Sequence, residues 1–201
     1  LHAAILDPRY REAREFMINT YKKALLEWNL DGFKLDFVDT WRDAPNNAPY
    51  NEKMDIPALQ DAVDVCMTGI VEELLKIKPD ILLEFRQSYV GPHMKRFGNM
   101  FRVGDCAGNY LRNRSAILDL RMMMGSQAVH SDMLMWHKED SPENVARQLA
   151  ATLYAVPQIS VLLDTLPESH RTVLRYYLDF WRQYRSVLLD GYLWARHPES
   201  G

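Results

Sequence analysis

Lys34-Leu35-Asp36 is the segment of this sequence whose residue types and spacing most clearly could do chemistry. It lies in a short apolar run, residues 32–38, which has the character of a β-strand. Alternation along a strand places Lys34 and Asp36 on one face and Phe33, Leu35 and Phe37 on the other. An ammonium group favours the ionised form of a neighbouring carboxylate, which suits a nucleophile or an electrostatic stabiliser. The alternative is a buried ion pair, whose desolvation cost makes it the weaker interpretation.

Asp105 is the second candidate, within Arg102-Val103-Gly104-Asp105-Cys106-Ala107-Gly108-Asn109. Two carboxylates at strand ends are what glycoside hydrolysis requires, one attacking the anomeric carbon and the other acting as acid and base. A separation of about 5–5.5 Å between them would indicate retention of configuration, and about 6.5–9.5 Å inversion. The alternative for Asp105 is an aspartate that caps a helix or a turn.

Alternating helix and strand patterns must position these residues. Helices are predicted at about 8–28, 55–77, 110–124, 141–155 and 167–189, and strands at 32–38, 81–86, 100–105, 128–132 and 159–164. A polar loop is predicted at about 41–53. Five strand–helix units with short apolar strands predict an α/β fold with a parallel sheet, in a single domain spanning 1–201.

Polar residues recur where each predicted strand ends, which is the edge at which α/β sheets and barrels bind ligands. They are Lys34, Asp36 and Asp39, then Glu84, Arg86 and Gln87, then Arg102 and Asp105, then His130 and Asp132, and finally Asp164. Five charged strand ends in succession indicate one functional edge rather than scattered junction residues.

Several segments resemble the melibiase family, the α-galactosidases and relatives of clan D. The run Trp28-Asn29-Leu30-Asp31-Gly32-Phe33-Lys34-Leu35-Asp36-Phe37 is similar to the family's fourth barrel strand, and Phe101-Arg102-Val103-Gly104-Asp105 to its sixth. Residues 129–137 and 157–161 are similar to its seventh and eighth. The resemblance implies part of a TIM (β/α)8 barrel, about strands 4–8, in a retaining α-glycoside hydrolase with Asp36 as nucleophile and Asp105 as acid/base.

The same resemblance implies an α-linked glycoside as substrate, most closely an α-galactoside, and no cofactor. An α-glucosidase or α-xylosidase is an alternative within the class. The sequence departs from the family in having no adjacent pair of aspartates, and Glu84-Phe85-Arg86-Gln87-Ser88-Tyr89 replaces a glycine-rich segment. The first barrel strands and the accessory β-domains have no counterpart here.

Further residues at the predicted edge are candidates for binding the substrate. They are Lys34, Asp39, Arg86, Arg102, His130, Asp132 and Trp136. His130 and Asp132 make only a weak case for a metal, since no third ligand is in register. Trp136 could stack on a sugar ring or simply pack. The aromatic residues of the last helix, at 176, 177, 180, 181 and 184, follow helical spacing and predict its packed face.

Composition excludes several other function classes. A net charge of −3 over 201 residues, with basic and acidic residues interspersed, argues against a nucleic-acid partner. No apolar run approaches the length of a membrane span, and no phosphate-binding loop or serine elbow is present. Two cysteines make neither a disulfide framework nor a zinc site. A different class also stays open: a non-catalytic partial barrel that self-associates or needs the missing half, because its sheet edges would be exposed.

Overall fold

A computed structural model describes residues 5–41 and 48–197 of the chain. It is an α/β structure with five parallel strands in one sheet, in the order β1-β2-β3-β4-β5, and five α-helices. Strand order therefore follows chain order, as expected when each helix connects one strand to the next. Residues 42–47 of the predicted polar loop lie outside the described residues.

The helices and strands lie close to their predicted positions, with three exceptions among the strands. The helices are α1 (Arg11–Glu27), α2 (Leu59–Ile77), α3 (Tyr110–Met124), α4 (Pro142–Ala151) and α5 (Glu168–Asp190). The strands are β1 (Gly32–Lys34), β2 (Leu82–Arg86), β3 (Met100–Arg102), β4 (Ala128–Leu134) and β5 (Val156–Ile159). The third helix matches its prediction at both ends, whereas α1, α2 and α4 are each a few residues shorter.

The predicted extent of the first strand, 32–38, is wrong at its C-terminal end. β1 ends at Lys34, and Phe37 adopts a left-handed backbone conformation with a φ of 58°. This turn interrupts the alternation of faces, so Leu35 is buried while Phe37 is exposed rather than packed beside it. The third strand likewise ends early, at Arg102, so that Asp105 lies in the loop that follows.

The predicted fifth strand, 159–164, is also wrong: β5 spans Val156–Ile159. The apolar run Val161-Leu162-Leu163 looked like a strand core, but Leu162 and Leu163 are exposed and residues 163–165 form a 3-10 turn. Asp164 lies exposed in that turn rather than at a strand end. Pro157 falls inside β5, which is the last strand in the sheet order, a position where a missing N–H is tolerated.

The chain divides into two compact units. The first unit comprises Leu1–Glu84 with Arg96–Gly98, and the second comprises Phe85–Lys95 with Asn99–Gly201. In the first unit α1 packs against α2, and α2 contributes a buried face of Ala62, Cys66, Met67, Ile70, Val71 and Leu74. β1 pairs with β2 so closely at Gly32 that a Cβ there would lie 2.0 Å from the carbonyl oxygen of Leu82.

The second unit buries one apolar cluster between β4, α4 and α5. It consists of Leu134, Trp136, Val145, Leu149, Leu166 and Leu174. Arg121 of α3 is buried too, and it donates to the carbonyl oxygens of Tyr154, Leu188 and Leu189 at distances of 2.7–2.9 Å. This arginine therefore satisfies the last carbonyls of α5, which have no partner within the helix.

The predicted packed face of α5 is only half correct. Tyr177 packs against the apolar cluster, and the indole N–H of Trp181 donates to the carbonyl oxygen of Ala155 at 3.0 Å. Tyr176, Phe180 and Tyr184, spaced four residues apart, are exposed on the other side. Among the described residues, none of the helices is both long and apolar enough to cross a membrane.

Candidate functional site

Asp36 is held just beyond β1 by its own backbone and by one lysine. The N–H of Leu35 donates to the carbonyl oxygen of Glu84 at 3.0 Å, which carries the pairing with β2 one residue past the strand. The N–H of Phe37 then donates to Oδ1 of Asp36 at 2.8 Å. Lys34 Nζ lies 3.7 Å from Oδ2. The predicted Lys34–Asp36 pair is therefore present.

The pair is not buried, because the side chains of Lys34 and Asp36 are 41% and 27% exposed. The alternative of a buried structural ion pair is thus wrong. Asp36 lines a cleft of about 380 Å³ in the first unit, whose other walls include Leu35, Phe37 and Trp41. A half-exposed carboxylate at an apolar cleft is accessible to a ligand. Its left-handed neighbour Phe37 is the kind of strained position that clusters at functional sites.

Asp105 lies in the loop after β3, between two arginines. Arg102 Nη2 donates to Oδ1 of Asp105 at 2.8 Å, and Arg86 Nη1 lies 3.6 Å from Oδ2. The Asp105 side chain is 73% exposed, whereas that of Arg102 is 6% exposed. Two guanidinium groups stabilise the carboxylate form of this exposed residue. The Arg86 guanidinium also lies 5.7 Å from the ring centroid of Tyr89.

The segment from Val103 to Gly108, here called the Asp105 loop, is fixed by hydrogen bonds on both sides of the aspartate. Val103 N–H donates to His130 O at 3.1 Å, and Gly104 N–H to Gln87 Oε1 at 3.2 Å. After the aspartate, Cys106 N–H donates to Asp132 Oδ2 at 2.5 Å, and Gly108 N–H to Met133 O at 3.3 Å. Gly108 has a φ of 72°, which glycine adopts without strain.

Asp132 of β4 lies beneath this loop and is 1% exposed. Its Oδ1 accepts from Nη1 of Arg102 while its Oδ2 accepts from Cys106 N–H. Asn113 of α3, also buried, makes two reciprocal bonds with the Asp132 backbone, at 3.1 Å to the N–H and 3.3 Å to the carbonyl oxygen. Both carboxylate oxygens of Asp132 are therefore engaged by protein groups.

A polar cavity of about 580 Å³ opens beside Asp105 within the second unit. Its lining includes Arg86, Gln87, Ser88, Asp105, Arg112 and Asp119. Charges of both signs and neutral hydroxyl and amide groups line it together. Such a surface can donate to and accept from the hydroxyl groups of a polar ligand.

The remaining predicted binding residues differ in how accessible they are. Trp136 belongs to the buried apolar cluster, so the packing alternative describes it, although it also borders a second cavity of about 630 Å³. His130 is half-buried, and its carbonyl oxygen is used by the Asp105 loop. Asp39 lies in the 3-10 turn Val38–Trp41, beyond the strand end at which it was predicted. Across residues 5–41 and 48–197, no cluster of three or more His, Cys, Asp and Glu residues could hold a metal ion.

Both cysteines are buried, one in each unit, and neither forms a disulfide. Burial raises the pKa of the Cys66 thiol to about 11. Burial, followed by the negative charge of Asp132, raises the pKa of the Cys106 thiol to about 11 as well. Neither thiol is poised to act as a nucleophile near neutral pH.

The structure thus brings four predicted residues together in the second unit and two in the first. These are Arg86, Arg102, Asp105 and Asp132, and separately Lys34 and Asp36. Sequence reasoning missed Asn113, although an asparagine on the otherwise buried face of α3 was a signal that it bonds internally. No protein-family model matches this chain, and a search of curated protein sequences also finds no match.

Proposed function

We propose that this chain carries the catalytic carboxylates of a retaining α-glycoside hydrolase, most closely an α-galactosidase. One observation supports the proposal above others: Asp36 and Asp105 both follow parallel strands, and each is an accessible carboxylate with a basic partner. The proposal also assigns the five strands to about strands 4–8 of a TIM (β/α)8 barrel. That assignment rests on the resemblance to the melibiase family.

Asp36 is assigned the role of nucleophile. Its carboxylate attacks the anomeric carbon, the bond to the aglycone oxygen breaks, and a covalent glycosyl-enzyme forms. Lys34 favours the ionised form that attack requires and is free enough in solvent to donate to a sugar hydroxyl. The bond from Phe37 N–H holds one carboxylate oxygen in a fixed direction, and Lys34 lies beside the other.

Asp105 is assigned the role of acid and base. In the first step it gives its proton to the departing glycosidic oxygen, and it thereby becomes the carboxylate that Arg102 and Arg86 stabilise. In the second step this carboxylate takes a proton from water, the water oxygen attacks the anomeric carbon, and Asp36 leaves as a carboxylate.

The polar cavity beside Asp105 supports a carbohydrate as the substrate class. Gln87, Ser88 and Arg86 there offer both donors and acceptors, as a polyhydroxylated ring requires. The choice between an α-galactoside and an α-glucoside or α-xyloside follows from the resemblance alone. These sugars therefore belong in one panel of substrates.

The test is release of nitrophenol from nitrophenyl α-glycosides by the parent chain and by Asp36→Ala. Asp61→Asn, on the solvent-facing side of α2, is a matched control that removes one carboxylate away from the strand ends. The proposal expects activity on at least one α-glycoside, loss in Asp36→Ala and retention in the control. A parent that is folded yet inactive on the whole panel would contradict the proposal, as would an active Asp36→Ala variant.

A second candidate function, a non-catalytic piece that self-associates, is favoured by a different observation. β1 and β5 are the first and last strands of the described sheet, and α5 exposes Tyr176, Phe180 and Tyr184. Open strand edges and exposed aromatic faces are where chains pair. Light scattering between low and high protein concentration distinguishes the two: a mass that doubles favours self-association, and a constant monomer mass contradicts it.

A further inference from the structure

Two buried charged residues, Arg102 and Asp132, hold the Asp105 loop in place. Arg102 reaches from the end of β3 and contacts two carboxylates, the exposed Asp105 and the buried Asp132. Asp132 in turn also accepts the N–H of Cys106, the residue directly after Asp105. One buried carboxylate therefore holds both the arginine that contacts Asp105 and the backbone beside it.

We infer that Asp132 is a positioning residue, which fixes Asp105 through Arg102 and the Cys106 N–H rather than by contacting a substrate. This inference rests on the proposed function for its catalytic consequence. Its geometric part stands on the hydrogen bonds alone.

The burial of Asp132 argues against a direct contact between its side chain and a substrate. The Asp132 side chain is 1% exposed, and both of its oxygens already accept from protein donors. A sugar hydroxyl that bonded Asp132 would have to displace Arg102 or the loop backbone. The exposed member of the network is Asp105, at 73%.

The energetics of a buried ion pair argue against the alternative that Asp132 serves only to stabilise the fold. Desolvation of two charges cancels most of the attraction within a buried ion pair, so apolar residues of similar volume would stabilise the fold equally well. What apolar residues could not supply is a fixed direction for the Arg102 guanidinium. Asn113 adds to this, because its two bonds to the Asp132 backbone fix β4 at the register shift between His130 and Met133.

The first arm of the test needs no activity and uses the two thiols of the chain. Cys106 belongs to the Asp105 loop, while Cys66 lies buried in α2 and serves as an internal control. With iodoacetamide under native conditions, and with each rate expressed per thiolate so that the change in the pKa of Cys106 is removed, Asp132→Asn should increase the labelling rate of Cys106 about tenfold, the effect of losing one buried hydrogen bond. The labelling rate of Cys66 should not change, and Asp55→Asn, which unpairs the buried Arg14, should change neither.

The second arm measures how activity depends on the leaving group. Acid catalysis matters most when the leaving group is poor, so a misplaced Asp105 should affect alkyl glycosides more than dinitrophenyl glycosides. Asp132→Asn should lower kcat/KM, which reports the first step alone, about 10²-fold on a methyl α-glycoside, as expected for a displacement near 1 Å. It should lower kcat/KM only about threefold on the dinitrophenyl substrate, whose leaving group needs little help from an acid.

If Asp132→Asn does not fold, the double variant Arg102→Met/Asp132→Leu replaces it. Apolar residues of similar volume remove the buried charges together, and circular dichroism shows whether the fold is kept. This variant should show the same faster labelling of Cys106 and the same dependence on the leaving group.

The outcomes are distinguishable. Unchanged Cys106 labelling in both variants would overturn the inference, as would equal losses on the two substrates together with a raised KM, which would indicate contact with the sugar. Faster Cys106 labelling in a chain whose parent hydrolyses no α-glycoside would support Asp132 as the anchor of the loop and contradict the proposed function instead.

Discussion

The two candidate carboxylates are held in opposite ways. Asp36 depends on a lysine that is half in solvent and on the N–H of the next residue, Phe37. Asp105 is itself more exposed, but its partner Arg102 is buried and anchored on Asp132. The first site is built from adjacent residues of one segment, and the second from β3, β4 and α3 together. A carboxylate can therefore be positioned either by the local backbone or by a buried charge that is distant in sequence.

The largest effect on activity is expected from removing the carboxylate of Asp36. Asp36→Ala should lower kcat by about 10⁴-fold or more on every substrate, since no covalent intermediate can form. The loss should be as large for dinitrophenyl as for alkyl α-glycosides, measured in the steady state. A loss confined to poor leaving groups would exchange the roles assigned to the two aspartates.

Asp105→Ala should lower kcat/KM, which reports the first step alone, by about 10²–10⁴-fold on alkyl α-glycosides and much less on activated ones. Added azide should partly restore turnover of the dinitrophenyl substrate, because a small anion needs no base to attack the glycosyl-enzyme. Nuclear magnetic resonance of the product identifies a glycosyl azide. Azide that has no effect would contradict the role of Asp105 as the base.

Removing Asp132 from its buried ion pair should lower the free energy of unfolding more than removing the partly exposed Asp55 from its ion pair. Asp132→Ala leaves Arg102 charged and buried, so we expect a loss of about 3–5 kcal/mol in the free energy of unfolding. Asp55→Ala removes the partner of the buried Arg14, but Asp55 is 45% exposed, and the loss should be about 1 kcal/mol. Urea denaturation of the three chains measures both values. Equal losses would show that Asp105, the remaining partner of Arg102, is sufficient to compensate its buried charge.

Lys34→Met tests the exposed pair of the first site and should hardly affect stability. The pair is partly exposed and 3.7 Å apart, so a loss of less than about 1 kcal/mol is expected in the same urea experiment. A loss comparable with that of Asp132→Ala would show that the two sites are supported alike, and the comparison between them would fail.

The smallest effect concerns the two thiols, whose pKa values are raised to about 11 for partly different reasons. A raised pKa keeps the thiol protonated in the folded chain, so it contributes stability below the unfolded pKa near 9, and this is lost as the pH rises towards 11. Labelling of both thiols should therefore increase from pH 9 to pH 11. Asp132→Asn should lower the pKa of Cys106 and leave that of Cys66 unchanged, read from the pH dependence of labelling.

Local patterns in the sequence were sufficient for much of the fold. Helix α3 was predicted correctly at both ends, and in the structure Asn109 caps its start and Gly125 follows its last turn. The strand at 156–159 was misplaced because Val161-Leu162-Leu163 carries the same apolar signal, and only the rest of the fold decides which run is buried. The predicted packed face of α5 was half wrong for the same reason. Helical spacing identifies an aromatic stripe but does not show whether another element packs on it.

Residue order alone was sufficient for the alternation of helices and strands, for the parallel sheet and for placing Asp36 and Asp105 near the C-terminal ends of two strands. These features depend on side-chain periodicity and on neighbours within a few residues, which the order of residues states directly. The burial of Asp132 under the Asp105 loop, and its bonds to Asn113, follow from the packing of the folded chain. Those contacts join residues 19 and 26 positions apart, and hydrogen bonding at that separation depends on how strands and helices pack.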